Sequence, residues 1–159
     1  MIEISDVILR LLAAAGIGMA FGLNRDMHGK PTGMRTLGLV GLGAAVATIG
    51  TIHAANVVFS PPEFSRVLQG VVQGVLTGIG FLGGGVILRS QAGHRVHNIT
   101  TAATVWITAA LGMTCAVADW RILGIGFALA LILLVLGGPV ERFVESWFGK
   151  NDTPAEDRD

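Results

Sequence analysis

Long apolar stretches alternate along this chain with short polar connections. A helix that crosses a bilayer needs about 20 mostly apolar residues. Five stretches approach or reach this length: Val7–Leu23, Thr36–Phe59, Val67–Leu88, Ile99–Val117 and Ile122–Leu136. Because the connections between them are short, consecutive helices are expected to be neighbours in space. The pattern therefore predicts an all-α membrane protein, a compact bundle of five transmembrane helices.

The spacing of apolar residues changes after Pro139. Apolar side chains recur there at helical intervals, with charged residues on the opposite face: Val140, Phe143, Val144, Trp147 and Phe148. This arrangement is typical of a short amphipathic helix that lies at the membrane interface. We therefore divide the chain into a transmembrane domain (1–138), an amphipathic interfacial helix (139–149) and a disordered acidic tail (150–159).

Composition favours a lipid exterior. The 159 residues are 52% hydrophobic and 14% charged, and the mean hydropathy is +0.66, whereas a soluble domain carries roughly 25% charged residues. The formal net charge of zero argues against nucleic acid as a partner. The single cysteine, Cys115, rules out an internal disulfide and a cysteine cluster for zinc.

The basic residues predict an orientation. Because the N-terminus MIEISD is acidic and a secretory signal starts with basic residues, the first apolar run is expected to be a retained span. Most Lys and Arg residues then fall on one side of the membrane: Arg25, Lys30, Arg35, Arg89, Arg95, Arg142, Lys150 and Arg158. The positive-inside rule places this side in the cytoplasm, so the N-terminus is predicted outside and the C-terminus inside.

The glycines of the third span suggest close helix packing. The segment GIGFLGGGVILR (78–89) contains the spacing of a dinucleotide-binding loop, but a preceding strand and a following carboxylate are both missing. Small residues four apart instead let helices approach closely, as at Gly70, Gly74, Gly78, Gly80 and Gly84, and in the first span at Gly18 and Gly22. The run Gly83–Gly85 leaves open a helix break near a binding site.

Polar residues form stripes on the third and fourth spans. Gln69, Gln73 and Thr77 share one helix face, and another is shared by Asn98, Thr101, Thr104 or Val105, and Thr108. These side chains either join helices by hydrogen bonds or line a hydrated pathway between the two spans. All acidic residues lie outside the apolar runs except Asp6, at the margin of the first. This distribution disfavours a carboxylate-lined cation channel.

Two connections are rich in basic and histidine residues: Arg25, His28, Lys30 and Arg35 on the first, and Arg89, His94, Arg95 and His97 on the third. These residues either set the topology beside anionic lipid headgroups or form an anion site or a docking surface for an acidic partner. The histidines lack the spacing of a metal site. We therefore expect neither a metal nor another cofactor.

Three segments together resemble the MgtC/SapB family of bacterial inner-membrane proteins: GLNRDMHGKPTGMRTLGLVGLGAA (22–45), GIGFLGGGVILR (78–89) and ITTAATVWITAALGM (99–113). The family's first loop usually reads Gly-Leu-Glu-Arg, and here Asn24 replaces the glutamate. The resemblance extends to other positions of the family's motifs: Gly22, Leu23, Arg25, Arg35, Thr36, Arg89, Thr100 and Thr101. It implies the short form of the family, without an added C-terminal cytoplasmic domain.

The resemblance implies a bacterial inner (plasma) membrane protein with a role in growth at low Mg²⁺, in survival inside host phagocytes and in the modulation of membrane complexes such as the ATP synthase. We predict a non-enzymatic accessory or regulatory protein in ion or phosphate homeostasis, extending to virulence. It would act through another membrane protein, and a homodimer or other homo-oligomer is expected. The alternative is a small ion or solute transporter or channel with a polar path between the third and fourth spans.

The candidate functional residues follow from these arguments and are polar or basic: Arg25, Arg35, Thr36, Gln69, Gln73, Arg89, Asn98, Thr100 and Thr101. The sequence shows no nucleophile paired with a base, so no catalytic residue is expected.

Overall fold

The computed structural model describes residues 3–58, 60–88 and 98–148, and these residues form five helices. The helices are α1 (Ile4–Met27), α2 (Met34–Val58), α3 (Pro61–Leu88), α4 (Ile99–Val117) and α5 (Trp120–Phe148). Each is long and apolar enough to cross a membrane. The predicted all-α class with five spans is therefore confirmed, and the described residues include no strand.

Local hydrogen bonds mark where the helices begin and end. The backbone N–H of Ser60 donates to the Glu63 carboxylate at 2.9 Å, which is half of a capping box at the start of α3. Ala118 ends α4 in the left-handed region, with φ of 61°, and its N–H donates to the Cys115 carbonyl oxygen. The Asp119 carboxylate accepts the N–H of Ile122 at 3.1 Å and caps α5. The chain therefore reverses direction within two residues.

Helix α4 lies at the centre of the bundle and contacts all four other helices. It supplies three of the eight side chains of a core that joins α1, α2, α4 and α5, more than any other helix; the core contains these buried residues: Ala14, Phe21, Leu37, Ala45, Val105, Leu111, Cys115 and Leu123. A second cluster of Ala44, Ala109 and Met113 packs against the apolar face of α3. Helix α5 is attached most lightly, since its contacts with α1 are sparse.

Close backbone approach occurs at glycines of α1, α2 and α4. A Cβ atom on Gly18 or Gly22 would overlap the backbone of α2, and a Cβ on Gly112 would overlap the backbone of Gly41. The expectation for Gly18 and Gly22 is thus confirmed. These glycines bring the three helices closer than any larger residue allows.

The glycines predicted to pack α3 do not do so within this chain. A Cβ atom added at any of them would meet no atom within 4 Å: Gly70, Gly74, Gly78, Gly80 and Gly84. The prediction is therefore wrong for contacts inside the bundle. The buried face of α3 carries Val72, Val75 and Leu76 instead, so the glycines lie on other sides of the helix. Their role in self-association stays a prediction.

The helices are not interrupted at the two positions where the sequence suggested or left open a break. Helix α3 continues through Gly83–Gly85, and α5 continues through Pro139 to Phe148. The predicted amphipathic helix (139–149) is thus continuous with α5 as far as the structure describes it, and its location at the membrane interface stays a prediction. Proline removes one hydrogen bond and crowds the preceding turn, but transmembrane helices tolerate it because neighbouring groups compensate. The predicted acidic tail (150–159) lies outside the described residues.

Candidate functional site

Arg25 is the most deeply buried charged side chain in the described part of the chain. It lies in the last turn of α1 and is 1% exposed. Its side chain lies between α4 and the connection that follows α1. A residue that the sequence suggested as a loop cation is therefore part of the bundle interior.

The Arg25 guanidinium joins α1 to the start of α4. Its Nη2 donates to Thr101 Oγ1, and its Nη1 donates a longer hydrogen bond of 3.5 Å to Thr104 Oγ1. The Thr104 hydroxyl in turn donates to the Thr100 carbonyl oxygen at 2.6 Å, which leaves its lone pairs for the guanidinium. We call Arg25, Thr101 and Thr104 the arginine clamp.

The first connection folds back over the clamp. Arg25 Nε donates to the Pro31 carbonyl oxygen at 3.0 Å. Gly29 and Thr32 take left-handed backbone conformations, with φ of 61° and 63°, which lets the connection turn sharply. The Asp26 carboxylate then accepts the N–H of Met34 at 2.9 Å and caps α2. The short connection thereby covers the buried cation.

The positive charge of Arg25 has no carboxylate partner in the described part of the chain. The ion pair found there joins Arg10 to Asp6, at the opposite end of the bundle. The guanidinium carries five N–H groups, and three of its hydrogen bonds are accounted for by neutral oxygens. Among the described residues, the two other N–H groups have no acceptor and the charge has no ion-pair partner, and burial of an unpaired charge is costly.

A mixed polar and apolar cavity of about 830 Å³ adjoins the clamp, between α1, α4 and α5. We call it the basic cavity. Its cationic lining consists of Arg25, Lys30 and Arg142, and Glu141 is its one described carboxylate. The segment Gly137–Pro139 forms part of its wall. The absence of bulky side chains at the two glycines leaves this wall open.

An apolar cavity of about 520 Å³ adjoins the basic cavity. The two share Thr100, Leu133 and Leu134 as lining residues. We call this second space the apolar groove; Phe21 and Trp106 are among its walls. A charged cavity and an apolar cavity thus adjoin each other on the α5 side of the bundle, and we call the two together the cleft.

Comparison with known proteins identifies the family. The family model described as "MgtC family" matches residues 11–143, most of the chain. The chain belongs to the MgtC family. Protein SrpB of Synechococcus elongatus is 41% identical over 133 residues, covering 79% of this chain and 71% of SrpB. No solved structure matches the chain.

Two further relatives of the MgtC family agree. Protein SapB of Bacillus subtilis is 32% identical, covering 82% of this chain and 54% of its own length. The "putative magnesium transporter YhiD" of Escherichia coli is 33% identical, covering 82% of this chain and 60% of its own length. The chain thus spans little more than half of these two relatives. Together with five apolar helices, these matches show a multi-pass protein of the bacterial inner membrane.

The departure from the MgtC family's loop motif falls at this site. Asn24 stands beside Arg25 where the resemblance expects glutamate, and it lines the basic cavity. Its backbone carbonyl oxygen lies 2.7 Å from Nδ1 of His28. A neutral amide therefore lines the basic cavity at the position where the resemblance expects a carboxylate.

The predicted polar pathway between α3 and α4 is not assembled. Gln69 and Gln73 are exposed on the outer surface of α3, whereas Thr101 is buried against α1. Asn98 is half-buried and precedes α4, where its carbonyl oxygen accepts the N–H of Ala102. The contact between α3 and α4 is apolar instead, as at Gly83 and Ala102.

The other candidate residues are dispersed. Arg35 and Thr36 are exposed at the start of α2, and Thr36 borders a shallow groove against α3. Thr100 lines both parts of the cleft. Arg89 lies outside the described residues. Of the candidates, Arg25, Thr100 and Thr101 therefore form one site.

Sequence reasoning placed Thr104 on the polar face of the fourth span and Lys30 among the basic residues of a possible anion site, but it missed Arg142 as a member of this site. Arg142 was interpreted only as a topology determinant, because nothing in the sequence shows that the ends of α1 and α5 meet. The pairing of distant helix ends requires the fold.

Proposed function

We propose that this chain is a non-enzymatic accessory protein that supports magnesium or phosphate homeostasis by contacting another membrane protein. The outer surface of α3 carries the proposal. Gln69, Gln73 and Thr77 are exposed there, along the part of the helix that would face lipid in a lone copy. A second protein in contact with this surface would supply hydrogen-bond partners that lipid lacks.

The energetic argument is one of desolvation. A polar side chain in hydrocarbon is costly unless it finds a partner, and hydrogen bonds between transmembrane helices contribute about 0.6 kcal/mol each. The open surface at Gly70, Gly74 and Gly78 allows a partner helix to approach closely. We call Gln69, Gln73, Thr77 and these glycines the α3 surface.

The interior favours contact over transport. The threonine hydroxyls of α4 already have hydrogen-bond partners inside the bundle. Thr101 accepts from Arg25, and Thr108 donates to the Thr104 carbonyl oxygen of its own helix at 2.7 Å. Apolar side chains separate them from α3. This arrangement supports a regulator, whose partner would be a transporter, the ATP synthase or a second copy of the chain. The proposed role in magnesium homeostasis rests on the relative YhiD, which is named a putative magnesium transporter.

A growth experiment tests the proposal. A host that depends on this protein at low Mg²⁺ is complemented with wild type, with Gln69→Leu/Gln73→Leu, or with Leu82→Val as control. Leu82 is 51% exposed on α3 and, five positions beyond Thr77, lies on a different helix face from the polar stripe. We expect the double variant to insert normally and to lose complementation, while the control retains it. Complementation by the double variant would contradict the role of the α3 surface.

A flux experiment separates the regulator from the transporter. Purified protein in liposomes is assayed for movement of Mg²⁺ and of phosphate. The proposal expects no flux above that of empty liposomes. Flux of either ion that is lost in Thr101→Val would instead establish the runner-up function, a small transporter whose pathway includes the arginine clamp.

A further inference from the structure

The cleft between α1, α4 and α5 combines two chemistries that the proposed function does not use. At one end, the basic cavity is lined by three cationic side chains and one carboxylate among the described residues: Arg25, Lys30, Arg142 and Glu141. At the other end, the apolar groove is lined by residues such as Phe21, Ala130 and Leu133. An occupant that satisfies both must carry negative charge and an apolar chain.

The buried cation supplies the charge argument. Arg25 is 1% exposed, lines the basic cavity and has no carboxylate partner in the part of the chain that the structure describes. Leaving a buried charge unpaired is strongly unfavourable. A phosphate group carries the opposite charge and pairs readily with guanidinium and ammonium groups, so a phosphate in the basic cavity would offset the charge of Arg25.

The packing of α5 supplies the access argument. Phe21 and Phe127 bring α1 and α5 together, with ring centroids 5.3 Å apart. Toward the basic cavity the two helices are separated by the cleft. Leu133 and Val135 line this region and are 73% and 45% exposed, so it opens to the surface that faces lipid. A lipid molecule can therefore enter from the bilayer.

We propose that the cleft binds one anionic phospholipid, with its phosphate in the basic cavity and an acyl chain in the apolar groove. Basic pockets between transmembrane helices recognise anionic headgroups in this way. The apolar extension and the opening toward lipid favour a phospholipid over a free phosphate ion. Binding provides the missing counter-charge for Arg25 and joins the lightly attached α5 to the rest of the bundle. The proposal is independent of any partner at the α3 surface.

Competition between two lipids tests the proposal. Delipidated full-length protein is offered equal amounts of phosphatidylglycerol and phosphatidylcholine with identical acyl chains, and the bound lipid is measured by native mass spectrometry. We expect phosphatidylglycerol to dominate. Equal retention of both lipids would overturn the proposal, because the cleft would then have no preference for negative charge.

Charge variants locate the binding site. Lys30→Gln and Arg142→Gln should each lower the preference for phosphatidylglycerol about fivefold, as expected for one basic residue near a headgroup. Glu141→Gln should raise it. Arg121→Gln, an exposed cation at the opposite end of the bundle, is the matched control and should change nothing. Equal effects of Arg121→Gln and Arg142→Gln would overturn the assignment to this cleft.

Two further experiments distinguish a bound phospholipid from a free phosphate ion as the ligand of the cleft. Ala130→Trp fills the apolar groove from α5 and should reduce phosphatidylglycerol retention while the protein stays folded. Inorganic phosphate should neither displace the lipid nor raise the melting temperature of the delipidated protein. Stabilisation by inorganic phosphate that persists in Ala130→Trp would show a free-anion site and overturn the lipid proposal.

Discussion

Arg25 and Thr101, 76 positions apart in the sequence, are hydrogen-bonded where the end of α1 meets the start of α4. A second hydrogen bond joins α1 and α4 at the opposite end of the bundle, where Arg10 Nη1 donates to the Ala116 carbonyl oxygen at 2.5 Å. Arg10 and Arg25 are fifteen positions apart, as are Thr101 and Ala116. Fifteen residues span about 22 Å of helix. Two arginines therefore fix the antiparallel register of α1 and α4.

Thr101→Val should destabilise the protein. Valine is nearly isosteric with threonine but leaves an Arg25 N–H group buried without an acceptor, which costs about 1–3 kcal/mol. We expect a lower melting temperature in detergent. Thr114→Val is the matched control, because Thr114 donates only to its own helix, at the Ala110 carbonyl oxygen. Equal melting temperatures for the two variants would contradict a structural role of the clamp.

Arg25→Lys should lower the melting temperature although it conserves the charge. Lysine presents a compact ammonium on a flexible chain, whereas the planar guanidinium donates in several fixed directions. One ammonium cannot reproduce bonds to Pro31, Thr101 and Thr104 at once. Arg35→Lys, at an exposed position, should leave the melting temperature unchanged. If both variants melted at the temperature of the wild type, the planar geometry of the Arg25 guanidinium would contribute nothing to stability.

The fold was largely predictable because apolar length alone identifies helices that cross a bilayer. The fifth span was the exception, since Pro139 was interpreted as its end and the helix continues to Phe148. Proline is tolerated within membrane helices because neighbouring groups satisfy the backbone carbonyl that it leaves without a hydrogen bond. Local rules for soluble proteins therefore placed this boundary incorrectly.

The site was less predictable because it depends on which helix faces meet. The small residues of α3 and α4 suggested a shared interface, yet Gly112 packs against Gly41 on α2. A Cβ atom added at Gly74 on α3 would meet no atom within 4 Å. Periodicity shows that Gln73 and Thr101 each lie on a polar face but not what either face contacts. The burial of Arg25 follows from α1 packing on α4, a long-range contact that spacing does not encode.

Gly112→Ala should be among the most destabilising single-methyl additions in the chain. The new Cβ would overlap the carbonyl group of Gly41, and backbone cannot move aside as a flexible side chain can. Overpacking of this kind costs about 1–3 kcal/mol.

The matched control for Gly112→Ala is Gly124→Ala, where a Cβ meets no atom within 4 Å. There the melting temperature should stay constant or rise, since alanine favours helix by about 0.5–1 kcal/mol over glycine. A fall in both variants would indicate a general intolerance of side chains at helix glycines rather than the specific contact.

The basic cavity should face the cytoplasm, as the distribution of Lys and Arg predicts. Ser5 and Ser146 are exposed at opposite ends of the bundle, and Cys115 is buried. In a Cys115→Ala background, Ser5→Cys should react with a membrane-impermeant maleimide in intact spheroplasts. Ser146→Cys should react only after permeabilisation. The reverse pattern would place Arg25 and Arg142 outside, where a cytoplasmic partner or cytoplasmic-leaflet lipid could not reach them.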